Sequence, residues 1–411
     1  MPPGAESPRA VFRLPAFRAL WLAQLVSTFG DFLALFGVIS LITFRLHGTP
    51  ADVAGVTAAY MAPLAVVAPL AGVLVDRWSV KRVLVASDLV RAGIAAALVL
   101  ARDVREIGLV LAALGIFSSF FGPAQSIAVR VLVPQGQLLQ ANALLAQAFY
   151  AVRVLSPAIA GALVAWLTEK ACFWLDAASF VFSAAMIATL SLARPADASD
   201  GSVRSLARDF AEGNRFIFTH RGLSFAFLAS AAGMFMLSSF SPLISIYIRD
   251  MLHGGSLTYG AISSMVGVGL IAGTAGVHRA ATGRSTVAVV VGGLFLLGGG
   301  AALLGGVRSM ATAAVSTFTI GFAIAFVVVP AQTLMQKETP PAMLGRVSST
   351  FMALFSLAQI LGLLLSGVLA TWLGIRQLFL GCGAALVLLA AGAWVRFRPH
   401  EGAGRPAPTG H

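Results

Sequence analysis

Five ionisable residues lie inside long apolar stretches of the sequence, and these residues are the strongest candidates for chemistry. They are Asp31, Asp88, Arg91, Arg153 and Asp176. A charged side chain in apolar surroundings costs several kcal/mol unless it is paired or hydrated, so each one is a functional candidate. A carboxylate can bind and release a proton, and a guanidinium can bind an anion or hold a carboxylate in its charged form. All five lie in the first half of the chain.

The composition excludes a soluble protein. Of the 411 residues, 58% are hydrophobic and 11% are charged, whereas soluble proteins carry about 25% charged residues. The net charge is +12, but the basic residues are scattered rather than clustered on one face, so we expect no nucleic-acid partner. Cys172 and Cys382 lack metal-ligand spacing, so we expect neither a metal nor a cofactor. The N-terminal segment lacks a signal-peptide pattern.

Twelve apolar stretches are long enough to cross the hydrocarbon core of a membrane, which takes about 20 helical residues. They cover 19–44, 53–75, 83–101, 107–129, 141–168, 171–193, 222–248, 257–278, 285–307, 309–334, 347–375 and 377–395. Barrel strands are about ten residues long and alternate polar with apolar residues, a pattern that these stretches do not follow. The sequence therefore predicts an all-α integral membrane protein.

Basic residues orient the predicted spans. The side that carries both termini holds 19 Lys and Arg, the other side holds seven, and the remaining two lie within spans. By the positive-inside rule both termini are cytoplasmic. A polar insert at the midpoint separates two sets of six spans, so we expect five segments. These are an N-terminal segment 1–18, a six-helix bundle 19–193, a linker 194–221 with an amphipathic surface helix, a second bundle 222–395 and a tail 396–411.

The two halves share short sequences at offsets of 206 and 207 residues. Leu46-His47-Gly48 follows the first span and Leu252-His253-Gly254 follows the seventh. Pro123-Ala124-Gln125 and Pro330-Ala331-Gln332 occupy the fourth and tenth. Repeats of this kind are typical of transporters built from duplicated bundles.

Twelve spans in two halves resemble the major facilitator superfamily, and the loop after the second span carries the most specific motif. It reads Gly72-Val73-Leu74-Val75-Asp76-Arg77-Trp78-Ser79-Val80-Lys81-Arg82, and departs from the family pattern at Trp78 and Ser79. The Asp-Arg-Trp variant is similar to the branch of enterobactin exporters and macrolide efflux proteins. Three further elements support that branch: Gly30-Asp31, Ala141-Asn142, and the run from Leu175 to Phe180.

The resemblance implies a conformational latch on the cytoplasmic side. Its residues in this sequence are Gly72, Asp76, Arg77, Lys81 and Arg82. A carboxylate at Asp76 can meet the positive N-terminal end of a helix, and the family partner is the start of the eleventh span, near Arg346. Alternatively, the three cations serve only to set the topology.

Asp31 is the residue that we expect to couple transport to protons. Asp31 and Arg153 each lie about twelve residues into a span that starts at the cytoplasm, so both are near the midplane. Gln24 and Thr28 extend Asp31 into one polar stripe on the helix. We predict that Arg153 tunes the proton affinity of Asp31 or binds an anionic substrate group. The alternative is a fixed structural ion pair between the two helices.

The other intramembrane charges have structural explanations. Asp88 and Arg91 are three residues apart on one helix, where they can pair locally or reach the interface. Asp176 is about one turn below the outer surface, where it can brace a helix contact. Pro157 and Gly161 belong to a degenerate antiporter element in the fifth span and predict a hinge, although an ordinary proline kink explains them equally well.

By resemblance, spans 1, 4, 7 and 10 line a central cavity. The predicted cavity residues are Gln24, Thr28, Phe32, Phe121, Gln125, Phe240, Phe322 and Gln332. A lining of aromatic rings and neutral amides suits an amphipathic organic compound rather than a sugar, although any one Phe can instead face lipid.

The sequence shows no catalytic constellation, so we expect a transporter and not an enzyme. The resemblance implies proton-coupled export of drug-like or siderophore-like molecules by a multi-pass protein of the inner membrane. Expected partners are membrane lipid, protons and a small amphipathic substrate, and we expect a monomer. A lipid or lysophospholipid carrier of the same fold and a non-transporting membrane sensor are the alternatives.

Overall fold

The computed structural model describes residues 11–75, 77–192, 203–282, 285–306, 308–340 and 343–396. This described part of the chain is helical and contains no strand. Its long helices are α1 (Pro15–Ser40), α2 (Pro50–Val75), α3 (Val80–Ala97), α4 (Val104–Leu132), α5 (Leu138–Trp166), α6 (Glu169–Ala188), α7 (Val203–Thr219), α8 (Arg221–Met251), α9 (Ser256–Ala281), α10 (Thr286–Gly306), α11 (Met310–Glu338), α12 (Leu344–Leu373) and α13 (Ile375–Arg396).

Twelve of these helices are long and apolar enough to cross a membrane, and each coincides with one predicted span. The thirteenth helix, α7, lies in the predicted linker. In the first half the helices begin a few residues before the apolar stretches, at Val80 and Val104 for example. Backbone hydrogen bonding continues through interfacial residues such as Lys81 and Arg105, because the helix does not end where the hydrocarbon ends.

The linker helix α7 packs against the second half. Arg346 Nη1 on α12 donates to Glu212 Oε2 at 2.6 Å, and Gly213 lies directly against the backbone of Arg346. Residues 194–202 of the predicted linker, and residue 193 before them, lie outside the described residues, so the domain boundaries stay a prediction.

The helices form two pseudo-symmetric bundles of six. In the first, α2 packs on α4, α3 packs on α4 and α6, and α1 packs on α5 and α6. In the second, α9 packs on α11, α10 packs on α11 and α13, and α8 packs on α12. The halves meet where α5 contacts α9 and where α2 contacts α12.

The repeated Leu-His-Gly sequence forms the same turn in both halves. His47 and His253 have φ angles of 49° and 52°, the left-handed conformation that ends many helices. The Gly48 amide donates to Ile42 O at 2.8 Å, and the Gly254 amide donates to Ile248 O at 2.9 Å. This agreement extends the sequence repeat to backbone geometry.

Contacts between the halves gather at the ends of the helices opposite the termini, which we call the outer end. Arg249 Nη1 donates to the carbonyl oxygens of Thr43 at 2.8 Å and Gly48 at 2.9 Å. The Thr43 hydroxyl is 2.9 Å from that of Ser245. Ser40 and Ser256 make a similar contact at 2.7 Å, and the rings of Phe36 and Tyr259 stack 4.5 Å apart. The structure is therefore closed at its outer end.

Candidate functional site

Asp31 lies beside a second buried carboxylate, that of Asp176. Gly30 makes this possible, because a Cβ atom at its position would lie 2.7 Å from Asp176 Oδ1 and 2.9 Å from Ser179 Cβ. The missing side chain lets α1 and α6 approach closely. Asp176 is fully buried and Asp31 is half-buried, and the two carboxyl groups interact electrostatically.

Arg91 supplies the positive charge of this cluster. It pairs with Asp88 one turn before it on α3, and both side chains are almost fully buried. The guanidinium carbon lies 4.5 Å from the centre of the Phe121 ring and 4.3 Å from that of Phe180. Cation–π contacts with two rings fix the guanidinium in place. Arg91 also interacts electrostatically with Asp31 and Asp176.

The cluster holds more carboxylates than cations. Asp31, Asp88 and Asp176 share one guanidinium, so the fully ionised group would carry a net charge of two negative units. Several of its oxygens are buried without a hydrogen-bond partner among the described residues: Asp31 Oδ1, Asp88 Oδ2, Asp176 Oδ1 and Asp176 Oδ2. Buried acceptors without donors are costly, and a proton on a carboxyl group removes one negative charge and adds a donor.

The structure does not pair Asp31 with Arg153, which corrects the ion pair considered from the sequence. Both residues are described, and no salt bridge joins them within the described part of the chain. Arg153 interacts electrostatically with Tyr150, a residue of its own helix. Depth along two helices does not fix the direction in which each side chain points, so residues that are predicted to lie at equal depth need not meet.

Only part of the predicted latch lies within the described residues. Asp76 lies outside the described residues, and a Cβ atom at Gly72 would meet nothing within 4 Å. Arg77, Trp78 and Arg82 line a groove of about 590 Å³ between the N-terminal half of α3 and the middle of α4. Lys81 lies in the first turn of α3.

The predicted cavity residues fall into two groups. Phe121 and Phe240 are buried in the packed interior, the first against Arg91 and the second 5.2 Å from Phe379. The sequence had placed both at the cavity wall. The other members are partly or almost fully buried: Gln24, Thr28, Phe32, Gln125, Phe322 and Gln332.

Among these, Gln24 Nε2 donates to Thr28 Oγ1 at 2.9 Å, so the polar stripe of α1 exists. The ring of Phe32 lies 5.8 Å from that of Phe149, and Phe322 stacks on Phe326 at 4.8 Å.

The predicted hinge residues lie at a crossing between the halves. Pro157 is inside α5, and its carbonyl oxygen faces Gly260 of α9. A Cβ atom at Gly161 would lie 2.9 Å from Gly260 Cα and 2.9 Å from Ser256 O. Two glycines thus let the backbones of α5 and α9 touch near the outer end.

Sequence reasoning missed the position of Asp176 against α1. Its distance from the outer surface suggested a local brace, yet it lies against Gly30 and beside Asp31. A signal was present, because Gly30-Asp31 and the run from Leu175 to Phe180 both supported the branch resemblance. The structure brings these two elements into contact.

Comparison with known families and sequences gives a consistent picture. The family model of the Major Facilitator Superfamily matches residues 20–362. The MFS-type transporter YfiS of Bacillus subtilis (strain 168) is 27% identical over 385 residues, covering 90% of each chain. Macrolide efflux protein A of Streptococcus pyogenes is 23% identical, covering 91% of this chain and 94% of its own. The multidrug efflux pump Tap of Mycolicibacterium fortuitum is 28% identical, covering 85% and 88%.

Solved structures share the fold at low sequence identity. The nucleoside transporter NupG superposes with a TM-score of 0.76 at 15% identity, covering 93% of this chain and 99% of its own. A bacterial homologue of the human lysosomal transporter Spinster, in an inward-facing and unoccupied conformation, superposes with a TM-score of 0.72 at 13% identity, covering 96% and 98%.

Proposed function

Because the chain belongs to the major facilitator superfamily and is a multi-pass transporter of the inner membrane, not an enzyme, we propose that it exports amphipathic organic compounds in exchange for protons. The observation that carries the proposal is Asp31. Its carboxyl group is half-buried, with one oxygen that lacks a partner, in the core of a bundle that must change shape during transport.

Proton exchange at Asp31 would follow from alternating access. In a carrier of this kind the halves rock about a central site, so a carboxyl group near that site faces each side of the membrane in turn. Burial and neighbouring charge differ between the two states, so the proton affinity of the carboxyl group differs as well. Such a group binds a proton in one state and releases it in the other.

The substrate class rests on the cavity and on the relatives. Aromatic and neutral amide side chains along α1, α4 and α11 suit a molecule with a large apolar surface and few charges. Relatives that carry the names macrolide efflux protein and multidrug efflux pump favour drug-like compounds. We further propose that the protein works as a monomer in contact with membrane lipid, and that Asp76 with its basic neighbours latches the cytoplasmic side.

Flux measurements in proteoliposomes test the proposal. With purified full-length protein and an imposed pH gradient, we expect uphill transport of at least one macrolide or amphipathic dye. The Asp31→Asn variant should lose gradient-driven transport, by about tenfold or more, and keep exchange of labelled for unlabelled substrate. Asn cannot carry the proton, but it retains the shape of the side chain.

Glu338→Gln is the matched control, since Glu338 is exposed at the end of α11. Gradient-driven transport by Asp31→Asn at the level of the control would contradict proton coupling at Asp31. Movement of phospholipid without any dependence on pH would instead indicate a lipid carrier, and ligand-induced conformational change without flux would indicate a sensor.

A further inference from the structure

The strongest unexplained feature of the molecule is the second unpartnered carboxyl group, Asp176. It is completely buried on α6, and neither of its oxygens has a hydrogen-bond partner among the described residues. The neighbouring Ser179 hydroxyl donates to the Asp176 backbone oxygen at 2.7 Å, and although it also lies close to the carboxyl group, it makes no hydrogen bond of good geometry with either carboxyl oxygen. A structural brace would be expected to have a donor facing it.

The helix contact that buries Asp176 is built around the coupling residue. Gly30 directly precedes Asp31, and its missing side chain is what admits the Asp176 carboxyl group. An ordinary helix crossing would need only a small residue and an apolar partner. Here the small residue admits the Asp176 carboxyl group against the turn of α1 that carries Asp31, within electrostatic reach of its carboxyl group. Two such carboxyl groups cannot both be charged at low cost unless cations balance them.

Among the described residues, Arg91 is the one cation that interacts with all three carboxyl groups. Arg91 pairs directly with Asp88, so its charge is largely balanced before it reaches the other two. The rings of Phe121 from α4 and Phe180 from α6 also hold the guanidinium group of Arg91 in place. These contacts keep the group from turning fully toward Asp31 or Asp176. Tyr60 of α2 also interacts electrostatically with Asp31, Asp176 and Arg91.

From this geometry we infer that Asp31 and Asp176 form a single proton-binding pair, with Arg91 as the residue that positions it. Asp31, the half-buried member, exchanges protons with the cavity. Asp176, the fully buried member, binds or releases a proton when the protonation state of Asp31 changes. The inference rests on the proposed proton coupling, extends it to a residue on another helix and removes Arg153 from it.

Coupled titration tests the pair without any need for transport. The full-length protein in lipid nanodiscs is titrated with acid and base while infrared spectroscopy follows the C=O stretch of protonated carboxyl groups. Asp31→Asn and Asp176→Asn should each remove one signal and displace the midpoint of the other by about one pH unit or more. Coupling between two sites is reciprocal, so the two displacements should be equal.

The controls separate a shared pair from general disturbance. Glu338→Gln should displace neither midpoint, and Arg153→Gln should leave both within about 0.2 pH units. If Asp176→Asn does not fold, the titration midpoint of Asp176 in the Asp31→Asn variant still measures the coupling. Midpoints that stay in place when the partner carboxyl group is removed would overturn the pair.

Transport then separates this inference from the proposed function. In proteoliposomes Asp176→Asn should lower gradient-driven flux by about tenfold while substrate exchange without a gradient continues. A wild-type protein that shows coupled titration but no response to a pH gradient would retain the pair and refute proton-driven export. Gradient-driven flux that is lost in Asp31→Asn and fully kept in Asp176→Asn would refute the pair and retain the proposed function.

Discussion

Gly30 decides whether the two carboxyl groups can share a pocket. A methyl group there would lie within 3 Å of Asp176 Oδ1 and of Ser179 Cβ, which is closer than such atoms normally approach. Neither α1 nor α6 can move apart easily, because Gly37, about two turns further along α1, packs against Cys172 and Phe173 of α6.

We therefore predict that Gly30→Ala destabilises the protein by about 1–3 kcal/mol, the usual cost of an overpacked site. Thermal unfolding in detergent measures this. Gly93→Ala on α3 is the control, since a Cβ atom there meets nothing within 4 Å and Ala is the better helix former. Equal melting temperatures for the two variants would show that α6 yields to the added methyl group.

Arg91 is the only cation described in the cluster, so its removal should be costly. Arg91→Met leaves Asp88 buried without its partner, and breaking a buried ion pair from one side costs about 3–5 kcal/mol. The double variant Asp88→Asn with Arg91→Met removes both charges and should recover much of the lost thermal stability. No recovery in the double variant would mean that Arg91 mainly serves Asp31 and Asp176 rather than Asp88.

At the scale of helices, small residues set how closely the halves approach. Gly161 and Gly260 bring α5 and α9 together, and Gly367 of α12 lies against Ala51 and Ala54 of α2. These two crossings are related by the pseudo-symmetry of the fold, and both lie toward the outer end. A carrier that opens outward must separate them.

Gly161→Val should favour the outward-open state, because the side chain would collide with Gly260 Cα and Ser256 O only when the outer end is closed. Distances between spin labels at the exposed positions Leu167 and Leu257 should lengthen in the variant. Gly299→Val, at a position with open space around it, should leave the distances unchanged. A closed distance distribution in Gly161→Val would show that the crossing is not a gate.

The helices themselves were predictable, whereas the site was predictable only in part. Long apolar stretches fix the number, length and order of spans, because water-free surroundings require complete backbone hydrogen bonding. Depth along a span predicts that Asp31 lies near the middle of the membrane, and this depth stays a prediction. The sequence could not show which way Arg153 points, nor that Phe121 covers Arg91, because helix rotation is decided by packing between helices distant in sequence.

For the molecule as a whole, one arginine joins the halves at the outer end. Arg249 donates to two backbone oxygens on either side of the His47 turn. In the sequence repeat, Thr43 of the first half corresponds to Arg249 of the second half. Arg249 therefore binds the backbone oxygen of its own counterpart. The side chain thus closes the outer end near the axis that relates the two bundles.

Arg249→Met should weaken this closure, because it removes both hydrogen bonds to the first half while keeping much of the apolar stem. We expect a shift of about tenfold toward the outward-open state, which corresponds to about 1.4 kcal/mol, read from the same pair of spin labels. Arg102→Met removes an exposed outer cation and should have no effect. A closed outer end in Arg249→Met would show that the serine and aromatic contacts suffice.

The confinement of the buried charges to the first half also has an electrical consequence. In the second half, acidic and basic residues occur only toward the ends of the membrane helices, so a neutral substrate would leave without a compensating charge. In the proposed exchange, each proton that enters would carry one positive charge inward. Membrane voltage would contribute about 2.3 kcal/mol per charge for every 100 mV, and an interior-negative potential alone would drive export where the two sides have equal pH.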